Sequence, residues 1–460
     1  MAATSLPVAD FALLGTDREE ELLEVWDFAF RTYGFCILRN HGYNKKFEEI
    51  EEEALKFFKL PLETKMVTSA SKQAGHLSGN GYNPYGAASV SKWQSAGGAG
   101  KPRPHDAVES MLAIDGNFSG FPGMASENSM CPDDTHDGLT AVENVWKFKT
   151  NALLRKRAED LHHNIKTDLL PKVMKVMAKA LKIEDENIFM KQYGYDQPSQ
   201  PFRMSHYLPT ELNEDENANV EDPSTQIRFG EHTDYEGLTF LWRNQVNGLQ
   251  VKNPFYELEP SPTTRQQYHR VKTGFLAFQR QHSLHASEWI DVLLPEDDPN
   301  ALVINAGDTI QRLTNDYYKS VPHRVIDTTH EARFDSYRSD KPPISLVFFT
   351  GPSTETQLEM LPSPLVTGPF NYPVVSAKAF KWSRMANMPE ADEIVLTQFE
   401  EVQLRESTLL EVNPDDFDDR KTFLEEFYKV KRKKKKAHIA KRFGGRRSLR
   451  SLSGIEVKGG

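Results

Sequence analysis

The sequence is poor in cysteine, with only Cys36 and Cys131 among 460 residues. One possible pair excludes a disulfide framework, and sparse cysteine is typical of proteins in reducing compartments. The chain also has no apolar run of membrane-spanning length, and its first residues do not follow the basic-then-apolar pattern of a signal peptide. We therefore expect a cytoplasmic protein with no membrane span.

Positive charge is scarce through most of the chain but concentrated at its end. The net charge is −10, yet residues 429–460 hold 13 Lys and Arg against one acid, leaving 43 basic and 65 acidic residues in 1–428. The acidic body argues against nucleic acid as its main partner. The tail resembles a bipartite nuclear-import signal, which an import receptor would bind, or a patch for an anionic surface. The alternative is a disordered, solubilising tail whose charges repel one another.

His232 and Asp234 stand two residues apart, immediately before an apolar run of β type. In an extended chain residues i and i+2 point to the same face, so both side chains can aim at one point. By itself the pattern is weak, because 14 histidines make a chance pairing with an acid common. Two histidines and one carboxylate form the facial triad of non-haem Fe(II) oxygenases. We place the third ligand at His323, beside Arg324 and Val325.

Four blocks around these residues resemble the isopenicillin N synthase-like branch of the Fe(II)/2-oxoglutarate-dependent dioxygenases. The N-terminal helix–strand–helix pattern, including residues 57–61, is similar to that family as well. The blocks follow one another in the family's order, at residues 231–241, 248–251, 301–308 and 314–325.

The resemblance implies a mostly β fold with flanking helices, a double-stranded β-helix (jelly roll) preceded by an N-terminal helical region. It implies a non-haem iron oxidoreductase in which Fe(II), held by His232, Asp234 and His323, and 2-oxoglutarate use O2 to oxidise a small-molecule metabolite. Hydroxylation, desaturation and cyclisation are all compatible with the sequence.

The cosubstrate residues depart from the family pattern. The family anchors the distal carboxylate of 2-oxoglutarate with Arg-x-Ser, because arginine binds a carboxylate through two parallel hydrogen bonds. Aligned on Ser345, the arginine position here is Pro343, which has neither the charge nor a backbone donor. Arg338 and Arg333 are the predicted substitutes, although either can equally be a solvated loop residue. Tyr207 and Ser345 match cosubstrate-binding positions of the family, with strand packing as their alternative role.

Because of Pro343, a second hypothesis is an iron oxidase of the same fold that uses no 2-oxoglutarate. A third is a catalytically silent binding protein, against which the complete set of three metal-ligating side chains argues.

The sequence predicts four regions: an N-terminal α/β region (1–200), the jelly-roll domain (201–375), a helical extension (376–428) and a basic disordered tail (429–460). Within the jelly-roll domain, an insertion at residues 253–286 is rich in Arg, Gln, His and aromatics and interrupts the β-rich part. This insertion either covers the substrate entrance or lies on the surface without a role at the site.

Overall fold

The computed structural model describes residues 6–66, 81–85, 106–113, 152–193, 200–208, 227–244, 247–256, 288–328, 342–385, 398–413, 416–417 and 420–443. The chain divides into two compact units, Met1–Pro369 and Phe370–Gly460. Within the described ranges, no helix has both the length and the apolar character needed to cross a membrane.

The first unit contains seven helices among its described residues, most of them before the β-rich part. They are α1 (Glu19–Thr32), α2 (Asn44–Phe58), α3 (Leu62–Met66), α4 (Ala152–Asn164), α5 (Leu170–Ala180), α6 (Ile188–Tyr193) and α7 (Asp308–Leu313).

Helix α1 shows how the local sequence sets an element. Its first turn is acidic, which complements the positive end of the helix dipole. Leu22, Trp26 and Phe30 recur every four residues and are buried on one face. The chain leaves the helix through Gly34, whose φ is 65°. A Cβ there would lie 2.3 Å from the Lys319 carbonyl oxygen, so only glycine allows this turn.

Two features divide the helices of this unit. Helix α2 ends at Phe58, shortly before Pro61, which lacks the N–H that would continue it, and α3 begins after the proline. Ile165–Leu169 form a π-helical segment between α4 and α5.

Among the described residues of the first unit, twelve strands form two sheets. The larger sheet has the order β1-β2-β10-β7-β12-β5-β4-β3, and the smaller has the order β6-β11-β8-β9. The strands are β1 (Val8–Asp10), β2 (Phe35–Arg39), β3 (Gly81–Asn83), β4 (Val108–Ala113), β5 (Phe202–Tyr207), β6 (Ile227–His232), β7 (Leu238–Arg243), β8 (Leu249–Lys252), β9 (Trp289–Asp291), β10 (Leu302–Ala306), β11 (His323–Ile326) and β12 (Ile344–Phe349).

The two sheets share one apolar core. Phe35 and Val303 of the larger sheet belong to the same buried cluster as Leu249 and Val251 of the smaller sheet. The N-terminal strands extend both edges of the larger sheet, with β1 and β2 at one edge and β4 and β3 at the other. This arrangement of packed sheets with flanking helices is the predicted fold class.

Alternation along β7 separates an inner face from an outer one. Trp242 faces outward and stacks on Phe47 of α2, with ring centroids 5.7 Å apart. Thr239, Leu241 and Arg243 take the opposite face, and Leu241 packs against the core cluster shared with the smaller sheet. The inner face of this strand therefore carries polar groups at both ends and an apolar residue between them.

The second unit corrects one prediction. We predicted a disordered tail over 429–460, but residues 429–443 continue a helix. Phe423 and Phe427 are fully buried, and Lys434 lies 2.8 Å from Glu411, so packing and an ion pair offset the repulsion among the lysines. Lysine and arginine are also good helix formers. The helices are α8 (Ala377–Met385), α9 (Gln398–Leu409) and α10 (Arg420–Phe443).

Candidate metal centre and adjoining cavity

The three predicted metal-ligating residues lie together at one end of the smaller sheet. His232 ends β6 and His323 begins β11, and the two residues are direct cross-strand partners. Asp234 follows two residues after β6. One side-chain atom of each residue lies within 4.8 Å of the others. Among the described residues, this is the one group of His, Cys, Asp or Glu found close enough to hold a metal ion.

Each of the three residues directs one atom that could ligate a metal toward a common point. The Nδ1 of His232 lies 2.8 Å from the Gly230 carbonyl oxygen, which can only accept, so Nδ1 carries the proton and Nε2 keeps its lone pair. This Nε2 is 3.7 Å from Oδ1 of Asp234, and Nε2 of His323 is 4.0 Å from the same oxygen. Separations of this size leave room for an ion between the three atoms.

The other carboxylate oxygen of Asp234 is held by two neutral donors. Thr239 Oγ1 donates to Oδ2 at 2.6 Å, and Asn305 Nδ2 donates to it at 2.7 Å. These bonds fix the carboxylate so that Oδ1 faces the two imidazoles. Loss of such an orienting partner typically lowers metal affinity or activity by about 10- to 100-fold.

The protonation states suit metal binding at neutral pH. Burial, together with the neighbouring His323, lowers the pKa of His232 to about 3, so its ring is neutral. Burial alone would raise the pKa of Asp234, but the two histidines and the bonds from Thr239 and Asn305 hold it below its usual value. A neutral imidazole and an ionised carboxylate are the forms that ligate a divalent cation.

The backbone around Asp234 is fixed by close packing of two loops. Asp308 N donates to the Asp234 carbonyl oxygen at 2.8 Å. A Cβ at Gly307 would lie 2.2 Å from the Glu236 carbonyl oxygen and 3.0 Å from that of Asp234. Glycine at 307 therefore permits the approach that places Asp234 beside the histidines.

His41, a further histidine in a turn, has a structural role. Its Nε2 donates to the Asn300 carbonyl oxygen at 3.0 Å, and its Nδ1 accepts from Tyr43 N at 3.2 Å. Burial lowers the pKa of His41. Both ring nitrogens have hydrogen-bonding partners, so His41 is not a metal ligand.

A small cavity of about 30 Å³ lies farther along the same interior. Tyr207 and Ser345, the predicted cosubstrate residues, both line it and are hydrogen-bonded to each other at 3.0 Å. Pro343 also lines it, and its carbonyl oxygen accepts from Tyr207 N at 3.0 Å. Two buried arginines, Arg228 and Arg243, and the buried Asn247 complete the polar part of the lining.

The predicted anchors Arg333 and Arg338 lie outside the described residues, as does most of the predicted insertion. The structure brings the other predicted site residues into two adjoining groups. These are the candidate metal-ligating set His232, Asp234 and His323, and the cavity pair Tyr207 and Ser345.

Sequence reasoning missed four functional candidates: Thr239, Asn305, Arg228 and Arg243. Thr239 and Asn305 fall within the blocks that carry the family resemblance, so their position was a usable signal. Arg228 and Arg243 flank apolar strand segments, where an arginine is unusual unless it is paired or binds a ligand. That second signal was present in the sequence and went unused.

The donor set fits Fe(II), because two imidazoles and one carboxylate on one face of the metal leave the opposite positions open. Bound iron, with 2-oxoglutarate and O2, supplies the oxidising power to break a C–H bond. The chain's own residues hold the ligand atoms in place, and burial keeps the imidazole of His232 neutral.

Comparisons with known proteins agree with this chemistry. Residues 6–112 match the family model "non-haem dioxygenase in morphine synthesis N-terminal". Residues 267–352, which include His323, match that of the "2OG-Fe(II) oxygenase superfamily".

The chain is 25% identical to gibberellin 2-beta-dioxygenase of Phaseolus coccineus over 370 residues, 79% of this chain and 82% of that protein. A dioxygenase for auxin oxidation from rice superimposes with a TM-score of 0.51 at 19% identity, covering 84% of this chain and 97% of that one. A putative 2OG-Fe(II) oxygenase family protein from Caulobacter crescentus gives a TM-score of 0.57 at 23% identity, covering 83% and 99%. These structural likenesses confirm the predicted jelly-roll fold.

One family assignment follows from three findings: the two family-model matches, the gibberellin dioxygenase relative that aligns along most of its length, and the facial triad of ligand atoms. The chain belongs to the 2OG-Fe(II) oxygenase superfamily.

Proposed function

We propose that His232, Asp234 and His323 bind the Fe(II) of this dioxygenase, and that the chain couples decarboxylation of 2-oxoglutarate to oxidation of a small molecule. The convergence of three suitable ligand atoms within 4.8 Å carries this proposal. Family membership makes Fe(II) and 2-oxoglutarate the cofactor and cosubstrate. The proposal adds which residues hold the metal.

The protein loaded anaerobically with Fe(II) should consume O2 and release succinate when 2-oxoglutarate is added, even without the true substrate, at the slow rate of uncoupled turnover. Oxygen-electrode traces with and without 2-oxoglutarate, together with succinate quantification, measure this directly. An Asp234→Ala protein is the matched control and should release no succinate above background. Absence of 2-oxoglutarate-dependent oxygen uptake in fully iron-loaded protein would contradict the proposal and favour an iron oxidase of the same fold that uses no 2-oxoglutarate.

We also propose that the basic residues of α10 direct part of the protein from the cytoplasm to the nucleus. The observation that supports a targeting role is that Arg432, Lys433 and Lys436 are exposed on this helix, where a receptor can reach them. An anionic surface is the alternative partner for the same charge pattern.

Changing Arg432, Lys433 and Lys436 together to Gln should abolish nuclear accumulation of a fluorescently tagged chain while leaving 2-oxoglutarate turnover unchanged. Glutamine has nearly the helix propensity of lysine and arginine, and the ion pair between Lys434 and Glu411 stays in place, so the helix itself is preserved. Fluorescence microscopy of both forms measures the distribution. Identical distributions would show that these charges do not direct import.

A further inference from the structure

The jelly roll has a buried arginine on β7, although the position that carries the family's arginine, just before β12, is a proline here. At the position aligned with the family arginine, Pro343 presents a ring and a carbonyl already bonded to Tyr207 N. Directly across from Ser345, on the neighbouring strand β7, stands Arg243. The cross-strand register therefore places Arg243 beside Ser345. In the family pattern, the corresponding serine follows an arginine on its own strand instead.

Arg243 shares its face of β7 with the metal end of the site. Thr239, on that face, donates to Asp234, and Leu241 lies between Thr239 and Arg243. Arg243, Tyr207 and Ser345 all line the small cavity. The metal end and the cavity therefore lie along one face of β7, four residues apart.

Of the two buried arginines that line the cavity, Arg228 already has a carboxylate partner. It lies 2.8 Å from Asp327, and both side chains are almost completely buried. Arg243 donates to the side-chain oxygen of Asn247 at 3.0 Å and to the Val292 carbonyl oxygen at 2.8 Å. Burial lowers the pKa of Arg243 to about 10, because the buried charge has lost its hydration. A carboxylate beside it would offset that cost.

The remaining lining is suited to a carboxylate in both chemistry and size. Burial raises the pKa of Tyr207, so its hydroxyl stays protonated and can donate, as can Ser345. The cavity of about 30 Å³ has room for about two water molecules, which is comparable to one carboxylate group.

We propose that Arg243 binds the distal carboxylate of 2-oxoglutarate, with Tyr207 and Ser345 as neutral donors, so that the anchoring cation comes from β7 instead of β12. This inference rests on the proposed function, because it names a binding residue for that cosubstrate. It differs from the sequence-based candidates Arg338 and Arg333, and the experiment separates them.

The test compares two ligands on anaerobic Fe(II)-loaded protein by titration calorimetry. One is 2-oxoglutarate, and the other is 2-oxobutyrate, a 2-oxoacid that lacks the distal carboxylate. Arg243→Gln should weaken 2-oxoglutarate binding by roughly 30-fold or more, since the carboxylate is left buried without its charged partner. Binding of 2-oxobutyrate should stay within about twofold of wild type, because it never reaches Arg243.

Iron stoichiometry and 2-oxobutyrate affinity also report whether the variant is folded. If Arg243→Gln loses iron, Arg243→Lys takes its place: it keeps the charge but not the two-pronged geometry, and should still bind 2-oxoglutarate at least fivefold more weakly. The matched control Arg338→Gln should bind both ligands as wild type does. Unchanged 2-oxoglutarate affinity in the folded Arg243 variant overturns this inference alone. Wild-type protein that holds iron but does not bind 2-oxoglutarate overturns the proposed function as well.

Discussion

Replacing His323 by alanine should reduce bound Fe(II) from one equivalent to an undetectable level. Two remaining ligands cannot hold a labile ferrous ion tightly, and the neutral imidazole of His232 would then share the metal only with Asp234. Metal analysis after anaerobic loading and desalting measures the effect. His232→Ala and Asp234→Ala should give the same result, since each contributes one of the three converging atoms.

The exposed His163, on α4, supplies the matched control, because His163→Ala removes an imidazole far in sequence from the three ligating residues. It should keep full iron content. Circular dichroism establishes that each variant is folded before iron is measured. Full iron content in folded His323→Ala protein would exclude this residue from the metal centre.

Asp327→Ala should lower the free energy of unfolding by about 3–5 kcal/mol, because it leaves the buried positive charge of Arg228 without this carboxylate partner. The two side chains are 2.8 Å apart and exposed by only 4% and 1%. Burial lowers the pKa of Arg228, and Asp327 counteracts that effect. Denaturant unfolding followed by fluorescence gives the change in midpoint at constant slope.

An exposed pair on α4 provides the comparison. Arg155 and Glu159 are four residues apart on that helix, 2.7 Å from each other and 44% and 31% exposed. Glu159→Ala should cost less than about 1 kcal/mol, as exposed ion pairs do. An effect of Asp327→Ala as small as that of Glu159→Ala would contradict the account of Arg228 as a buried cation that depends on this partner. The double variant Arg228→Met/Asp327→Leu should recover most of the lost stability.

Local sequence was sufficient to name the three candidate metal ligands that the structure brings together. His232 and Asp234 are neighbours in the chain, and an extended segment directs both to one side whatever the remainder of the protein does. His323 lies in a block whose composition resembles a known family, so it could be named without knowing what it pairs with. The helical spacing of apolar residues in α1 and the β-type runs from residue 227 onward are likewise local patterns. Each can be recognised within its own segment, without knowledge of what the segment packs against.

The basic tail shows where local reasoning fails. Its charge density predicted disorder, but residues 429–443 follow directly on Phe423 and Phe427, whose burial anchors the helix. A contact made earlier in the same helix determines whether the charged turns persist, because helix formation propagates more easily than it starts.

The surroundings of the site were decided by tertiary structure alone. Asn305 orients Asp234 from 71 residues away, and Ser345 faces Arg243 only because β12 pairs with β7 in one register. A shift of that register by one residue would turn Arg243 away from the cavity, yet leave every local pattern of the sequence unchanged. The sequence by itself therefore determined which side chains are the candidate metal ligands. The pairing of distant strands decided which cation stands beside Ser345, because register depends on packing across the whole core.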